Sequence, residues 1–295
     1  MSHDHHHHHH GSEGSLGFAF IINFIFAIIE IVGGLYVNSL AILSDALHDL
    51  GDSFALGLAY FLEKKSKRSR DSRYSYGYRR FSTLGAIFNG FILSVGSLLI
   101  FIYAIPRVIS PQPSDGEGMV LLALLGILFN GLAYFRTRQG HGHNVEMVSL
   151  HLLEDVLGWV AVLIGGILIY FTGWYIIDAI LSMAISVFVF RNAVKSLRST
   201  SRIMLQGIPE EVDVDEVTHS LTRIKGVQGL HDLHIWSLDG EKTILTAHLV
   251  CDSNMDFLQA SEIKAKARSL LKDYHIDHST IELEGPSEEC FDNCD

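Results

Sequence analysis

At 295 residues, with 22 Lys/Arg, 33 Asp/Glu and a formal net charge of −11, the chain is long enough for about two domains of ~100–200 residues each. The charge is unevenly spread: residues 1–202 carry 15 basic and 14 acidic side chains, residues 203–295 carry 7 and 19. That acidic C-terminal part excludes nucleic acid as a partner, because displacing the counterions of a phosphate backbone takes basic side chains. It suits cations instead.

Residues 1–15 form a His-rich tail. The run His5 to His10 followed by Gly11-Ser12 has the form of a purification tag, although His-rich tracts also occur as natural metal collectors. On either reading the tail is set apart from the fold.

Residues 16–202 hold six long apolar segments: Leu16–Val37, Leu40–Leu62, Leu84–Val108, Gly118–Phe135, Val145–Phe171 and Trp174–Val194. A bilayer core needs ~20 apolar residues per helix. One such run can be a core helix of a soluble protein; six in succession predict a membrane α-helical bundle of six transmembrane helices. Basic residues set its orientation. Lys64, Lys65, Lys67, Arg68, Arg70, Arg73, Arg79 and Arg80 lie between spans two and three, Arg136 and Arg138 between four and five, and Arg191, Lys195, Arg198 and Arg202 after six. The opposite loops hold Arg107 alone. The excess of basic residues on the cytoplasmic side places both termini in the cytosol.

Within the bundle, span two contains Ser44-Asp45-Ala46-Leu47-His48-Asp49-Leu50-Gly51-Asp52, and span five contains His151-Leu152-Leu153-Glu154-Asp155. His48 and Asp52, like His151 and Asp155, are four apart and share one helix face. Two imidazoles and two carboxylates make the four ligands of tetrahedral zinc. Polar residues that merely bond helices together are the competing reading. It fares badly, because each ionisable group at mid-bilayer costs at least ~2.5–3.5 kcal/mol and span two has four within eight residues. Asp45, one turn earlier, is a candidate either to orient a metal-bound histidine or to receive an incoming ion. Asn23, Glu30, Asn130 and Asp178 bridge helices or touch a cation. In Gly140-His141-Gly142-His143, His141 and His143 either hand ions towards the site or belong to a solvated loop.

Ligating His must be neutral and Asp ionised, so metal and protons compete for the same atoms. A site opening to each side in turn would therefore exchange zinc for protons, with no nucleotide, and the chain has no GxxxxGK[ST] phosphate loop. It also lacks an HExxH helix, and no enzymatic activity is expected. The alternative is a metal-sensing membrane protein or channel that binds zinc without coupled antiport.

Residues 203–288 read as a small α+β cytosolic domain: helix Val212–Ile224, strand Val227–Leu238, a turn at Asp239-Gly240, strand Thr243–Cys251, helix Asp256–Tyr274 and strand Asp277–Glu284. On a regular strand His231 and His234 point to opposite faces, while His278, Glu282 and Glu284 share one. Residues 289–295 form a tail. The three cysteines, Cys251, Cys290 and Cys294, do not make a disulfide framework. Cys290 and Cys294 are a possible second cytosolic metal site, or part of an unused tail.

These stretches resemble the cation diffusion facilitator family: Ser44-Asp45-Ala46-Leu47-His48 with Asp52, Tyr76-Gly77-Tyr78-Arg79-Arg80-Phe81 leading to Asn89-Gly90, His151 with Asp155, and His231-Asp232-Leu233-His234-Ile235-Trp236-Ser237-Leu238. The resemblance covers nearly everything after Leu16. It implies a homodimer in the lipid bilayer, a metallochaperone-like cytosolic domain, and metal/proton exchange. Members with His in both spans look like zinc transporters, sometimes accepting Cd2+ or Co2+, so His48 argues for Zn2+. The membrane would be a plasma or inner membrane, or that of a vesicle. Relatives bind metal at the dimer interface of the cytosolic domain, through positions resembling His231, His248, His278 and a carboxylate near Glu284; His234 is expected to be a packed structural residue. Some relatives have a further site on histidines between spans two and three, but Glu63–Arg80 contains none.

Overall fold

The computed structural model describes residues 12–66, 70–137 and 143–286, which fall into two compact units. The first comprises residues up to 63 together with 85–197; the second joins residues 64–84 to 198–295. Among the described residues, six long helices follow one another in the chain: α1 (Ser12–Tyr36), α2 (Leu40–Ser66), α3 (Arg80–Ile109), α4 (Gly116–Thr137), α5 (His143–Thr172) and α6 (Ile176–Met204).

Four stretches in α3 to α6 are long and apolar enough to cross a membrane: Arg80–Ile109, Gly116–Phe135, Leu152–Thr172 and Ile176–Met204. Helix α1 adds the apolar run Phe24–Tyr36. Helix α2 falls short on composition, since Asp45, His48, Asp49 and Asp52 interrupt its apolar residues. The outer surface agrees with a lipid setting. Phe88, Phe91, Leu98, Leu99 and Ile102 of α3, and Leu121, Leu124, Leu128 and Leu132 of α4, are all exposed. A soluble monomer rarely exposes so continuous an apolar band.

Inside the first unit, Phe26, Ile42, Met119, Trp159 and Val162 form a buried cluster. Glycine permits the close approach of α4 to α5: a Cβ on Gly116 would stand 2.7 Å from the Tyr170 backbone nitrogen, and one on Gly126 would run into the Trp159 indole. Small residues at helix crossings are how membrane helices gain contact area without a hydrophobic drive.

One buried carboxylate fixes where α2 begins. Asp178 of α6 is 2% exposed and accepts hydrogen bonds from Ser39 Oγ at 2.5 Å, Leu40 N–H at 3.0 Å and Ala41 N–H at 3.3 Å. These include backbone donors that a helix N-terminus leaves unsatisfied. Ser39 Oγ in turn accepts from Ile42 N–H at 3.3 Å, as a helix-capping serine does. Arg107 of α3 lies 3.9 Å from Asp178 and donates to the backbone and side-chain oxygens of Asn38 at 2.9 and 2.8 Å. Farther along, Ser44 and Ser186 hydroxyls meet at 3.2 Å, tying α2 to α6 again.

In the second unit, α7 (Val214–Thr222), β1 (Val227–Ser237), β2 (Thr243–Cys251), α8 (Phe257–Asp273) and β3 (Ile276–Glu284) follow in order. Strands β1 and β2 are an antiparallel hairpin, and β3 returns through α8 to lie parallel beside β2. Asp213 caps α7, and Asp256 with Gln259 makes a reciprocal capping box on α8. Leu245, Ala247, Leu249 and Cys251 of β2 join Val217, Leu221, Ile263, Ala267 and Leu271 of the helices in one core. By strand alternation, Ile244, Thr246, His248 and Val250 face the other way.

At the hairpin end, segment 70–80 packs against the sheet. Arg79 donates to Asp239 Oδ2 at 3.0 Å, Arg80 Nε to the Leu238 carbonyl at 3.3 Å, and the Tyr76 ring meets His278 edge-on at 6.3 Å. Burial alone would raise the Asp239 carboxyl, but the Lys242 N–H, the Arg79 guanidinium and the Glu241 N–H together hold it below its ordinary value.

Two outcomes follow. Asp178→Ala strands buried donors from α2 and the Arg107 charge, and should destabilise the protein by roughly 3–5 kcal/mol, as for other broken buried ion pairs; unfolding of the detergent-solubilised protein measures it. Asp239→Asn should cost stability at neutral pH, because a carboxyl lowered by folding stabilises above its unfolded pKa and loses that contribution as pH falls through the folded value. The gap between parent and variant should therefore narrow below about pH 4.

Candidate metal centres

Helix α2 presents Asp45, His48 and Asp52 on successive turns, and α5 faces it with Asp155 and Gly158. His48 Nε2 lies 3.7 Å from Asp52 Oδ2 and 3.9 Å from Asp155 Oδ1, so one imidazole stands between carboxylates from two helices. Two ligand atoms ~2.0–2.1 Å from one tetrahedral ion sit roughly 3.3–3.4 Å apart. The observed separations need only small closure to share a divalent ion. The His48, Asp52 and Asp155 side chains are 16%, 26% and 11% exposed, shielded yet reachable. His151 stands in α5 one turn before Asp155, where its side chain lies outside the described residues.

Asp45 is buried, and its Oδ1 lies 3.8 Å from where a Cβ on Gly158 would stand, so α5 passes beside it at van der Waals distance. Glu30 of α1 is 1% exposed, with both carboxylate oxygens buried inside the bundle. Asp178, read from sequence as a helix bridge or a cation contact, bridges helices through the network at the start of α2.

The second group lies in the α+β unit, on the sheet face turned away from the helices. Cross-strand pairing sets His231 opposite His248, and Val250 pairs with Glu284. Glu284 bridges the two imidazoles, with Oε2 2.8 Å from His231 Nε2 and Oε1 2.6 Å from His248 Nδ1. One ligand atom from each of the three residues falls within 4.8 Å of the others. Two imidazoles and a carboxylate are a donor set that zinc accepts, with a fourth position left open.

Within one chain, His278 does not join them. It shares the sheet face, as its even spacing from Glu284 requires, but its register sets it opposite Ile244, whereas His248 is opposite Glu282. Four residues along a strand is ~13 Å. Sharing a face is not sharing a site.

His234 also departs from expectation. Its side chain is 63% exposed rather than packed, and its Nε2 lies 2.9 Å from Asp232 Oδ1. The cause is a β-bulge: His231 pairs with His248 but His234 with Thr246, so one extra residue is accommodated between them. Asp232 adopts a φ of 50°, in the left-handed region that Asp tolerates better than most residues. The bulge turns His231 and His234 to the same face. Asp232 Oδ2 then lies 3.4 Å from His248 Nε2, and Glu282 lies 3.6 Å from the same nitrogen. The signal was present in the apolar spacing, since Leu230, Leu233 and Ile235 all pack on the helix side and step by three, then two.

His141, Cys290 and Cys294 lie outside the described residues, as do the histidines of the N-terminal tail; His143 opens α5, its side chain likewise outside. Cys251 is buried in the core, where burial raises its thiol pKa, and takes no part in either group.

Comparison with known proteins adds two family matches. Residues 16–205 match the cation efflux transmembrane domain and residues 209–285 the cation efflux protein cytoplasmic domain. The metal cation efflux system protein CzcD of Cupriavidus metallidurans is 35% identical over 286 residues, covering 96% of this chain and 89% of that protein. The zinc transporter ZitB of Pectobacterium atrosepticum is 36% identical over 290 residues, covering 96% and 89%. A cadmium, cobalt and zinc/H(+)-K(+) antiporter of Bacillus subtilis is 32% identical over 292 residues, covering 96% and 92%.

The two histidines on β2 and β3 separate in a metal titration of the full-length protein. His248→Ala should remove one bound zinc per chain, and His278→Ala should leave the count unchanged. Equal loss in both would contradict the register argument.

Proposed function

Because this chain belongs to the cation efflux, or cation diffusion facilitator, family of integral membrane transporters, we propose that it exports Zn2+ from the cytosol in exchange for protons. The transport site is His48 and Asp52 of α2 with His151 and Asp155 of α5. The observation that carries this reading is His48 lying 3.7 and 3.9 Å from carboxylates of two different helices. The names of relatives, which include zinc transporters and a zinc/H(+)-K(+) antiporter, support the substrate and the counter-ion. Cd2+ and Co2+ are accessory substrates on the same ground.

The mechanism uses the ligands twice. With the site open to the cytosol, neutral imidazoles and ionised carboxylates take Zn2+ and release protons. With the site open to the other side, protons from that side compete for the same lone pairs and expel the ion. Asp45, buried beside Gly158, orients the ligand shell or receives the arriving ion. No nucleotide is needed.

Both termini are cytoplasmic in this scheme, and the division between membrane and cytosolic parts falls after residue 202. The chain acts as a homodimer, a reading supported by the match to the cytoplasmic domain of cation efflux proteins. The His231, His248 and Glu284 group holds zinc in the cytosolic part, apart from the transport path.

Proteoliposomes test the central claim. An imposed proton gradient should drive zinc uptake by the parent, and Asp52→Ala or His151→Ala should reduce it to the level of protein-free vesicles while the dimer still assembles. Undiminished flux in either variant would discard the site. Zinc movement indifferent to the gradient would favour a channel.

A further inference from the structure

A cavity of about 660 Å³ opens where segment 70–80 meets the hairpin end of the sheet. Its polar walls are Arg70, Ser75, Tyr76, Arg79, Lys242, Asp277 and His278. Three cations, Arg70, Arg79 and Lys242, therefore converge on one cavity, although the residues after position 202 hold only 7 basic side chains, Lys242 among them, against 19 acidic ones. That clustering runs against the local charge.

The pairing of these groups sharpens the point. Arg79 is taken by Asp239. Among the described residues, the side chains of Arg70 and Lys242 have no ion-pair partner, and both residues are exposed. The acidic group in the wall, Asp277, is engaged by the Thr243 N–H, which donates to its Oδ2 at 2.9 Å. What the cavity offers a ligand is two unsatisfied cations, hydroxyls from Ser75 and Tyr76, and the His278 imidazole. Its charge is the reverse of that of the His231, His248 and Glu284 group on the same sheet face.

We infer that this cavity binds a phosphate-bearing anion, of the kind displayed by an acidic phospholipid headgroup or free in solution. Guanidinium and ammonium groups with hydroxyl donors are the set that grips phosphate oxygens. The connection to the membrane is covalent: Arg70 follows the end of α2 at Ser66 by four residues, and Arg79 directly precedes α3 at Arg80. Basic pockets beside membrane helices recognise anionic headgroups for this reason. His278, left out of the metal group by its register, has its role here.

The test uses full-length protein in nanodiscs of phosphatidylcholine doped with phosphatidylglycerol, with retained lipid counted by native mass spectrometry. A parallel calorimetric titration uses inorganic phosphate on lipid-stripped protein. The Arg70→Gln/Lys242→Gln double variant should retain phosphatidylglycerol on the order of tenfold less than the parent. Lys242→Glu alone, at an exposed turn, should do the same without disturbing the core. His278→Gln should weaken retention while leaving the zinc count intact, which a metal ligand would not do. Retention by the parent without phosphate binding identifies the lipid headgroup as the source. Phosphate binding that displaces the lipid and fails in the variants identifies the free anion. Equal retention in parent and variants, with no variant-sensitive phosphate binding, overturns the inference.

Discussion

A carboxylate inside an apolar helix bundle is costly unless nearby donors compensate it, and the way Asp178 meets that cost organises one end of the first unit. Helix α2 carries Asp45, Asp49 and Asp52 around His48, so its position and rotation must be fixed from outside its own sequence. Asp178 does so from α6, by closing on the first backbone N–H groups of α2 while Arg107 from α3 balances its charge. With that end pinned, the turns bearing His48 and Asp52 come to face Asp155 of α5. The polar groups at the end of α2 and those halfway along it are thus parts of one arrangement. The first set holds the helix, and the second is what the helix is held for.

The second unit solves a different problem with one sheet. Its helix-side face is apolar core; its other face is divided along β2. At one end a single Glu284 carboxylate joins two imidazoles, and at the other an aromatic, basic segment from between α2 and α3 covers Ile244 and leaves a cationic cavity. Strand register separates the two chemistries by ~13 Å. Opposite charges can therefore be displayed on one small face without neutralising each other.

Much of this is legible in the sequence. The α7, β1, β2, α8 and β3 elements are readable from apolar periodicity and the Asp239-Gly240 turn, because those signals are local. The pairing of α2 with α5 was readable from a repeated His-x-x-x-Asp spacing, because ionisable groups in apolar helices need a common reason to be there. What escaped was non-local. The displacement of His278 depends on how β3 aligns with β2 through a parallel crossover, which no spacing within β3 encodes. The exposure of His234 follows from a bulge that regular strand alternation does not contain, marked in the sequence only by the three-residue step from Leu230 to Leu233. The cap supplied by Asp178 spans more than a hundred residues of sequence, so a polar residue in α6 could be seen only as one of several ambiguous ones.

The grouping of residues 64–84 with the C-terminal part has a practical corollary for dissecting the protein. A fragment cut to begin near residue 198 would keep every strand and helix of the sheet yet lose Tyr76, Arg79 and Arg80. Asp239 would forfeit its guanidinium partner, and Trp236 and Leu238 would lose the aromatic segment that packs over them. Such a fragment would carry a sticky bare edge absent from the parent. Its self-association would report on the excision and not on how two whole subunits recognise each other.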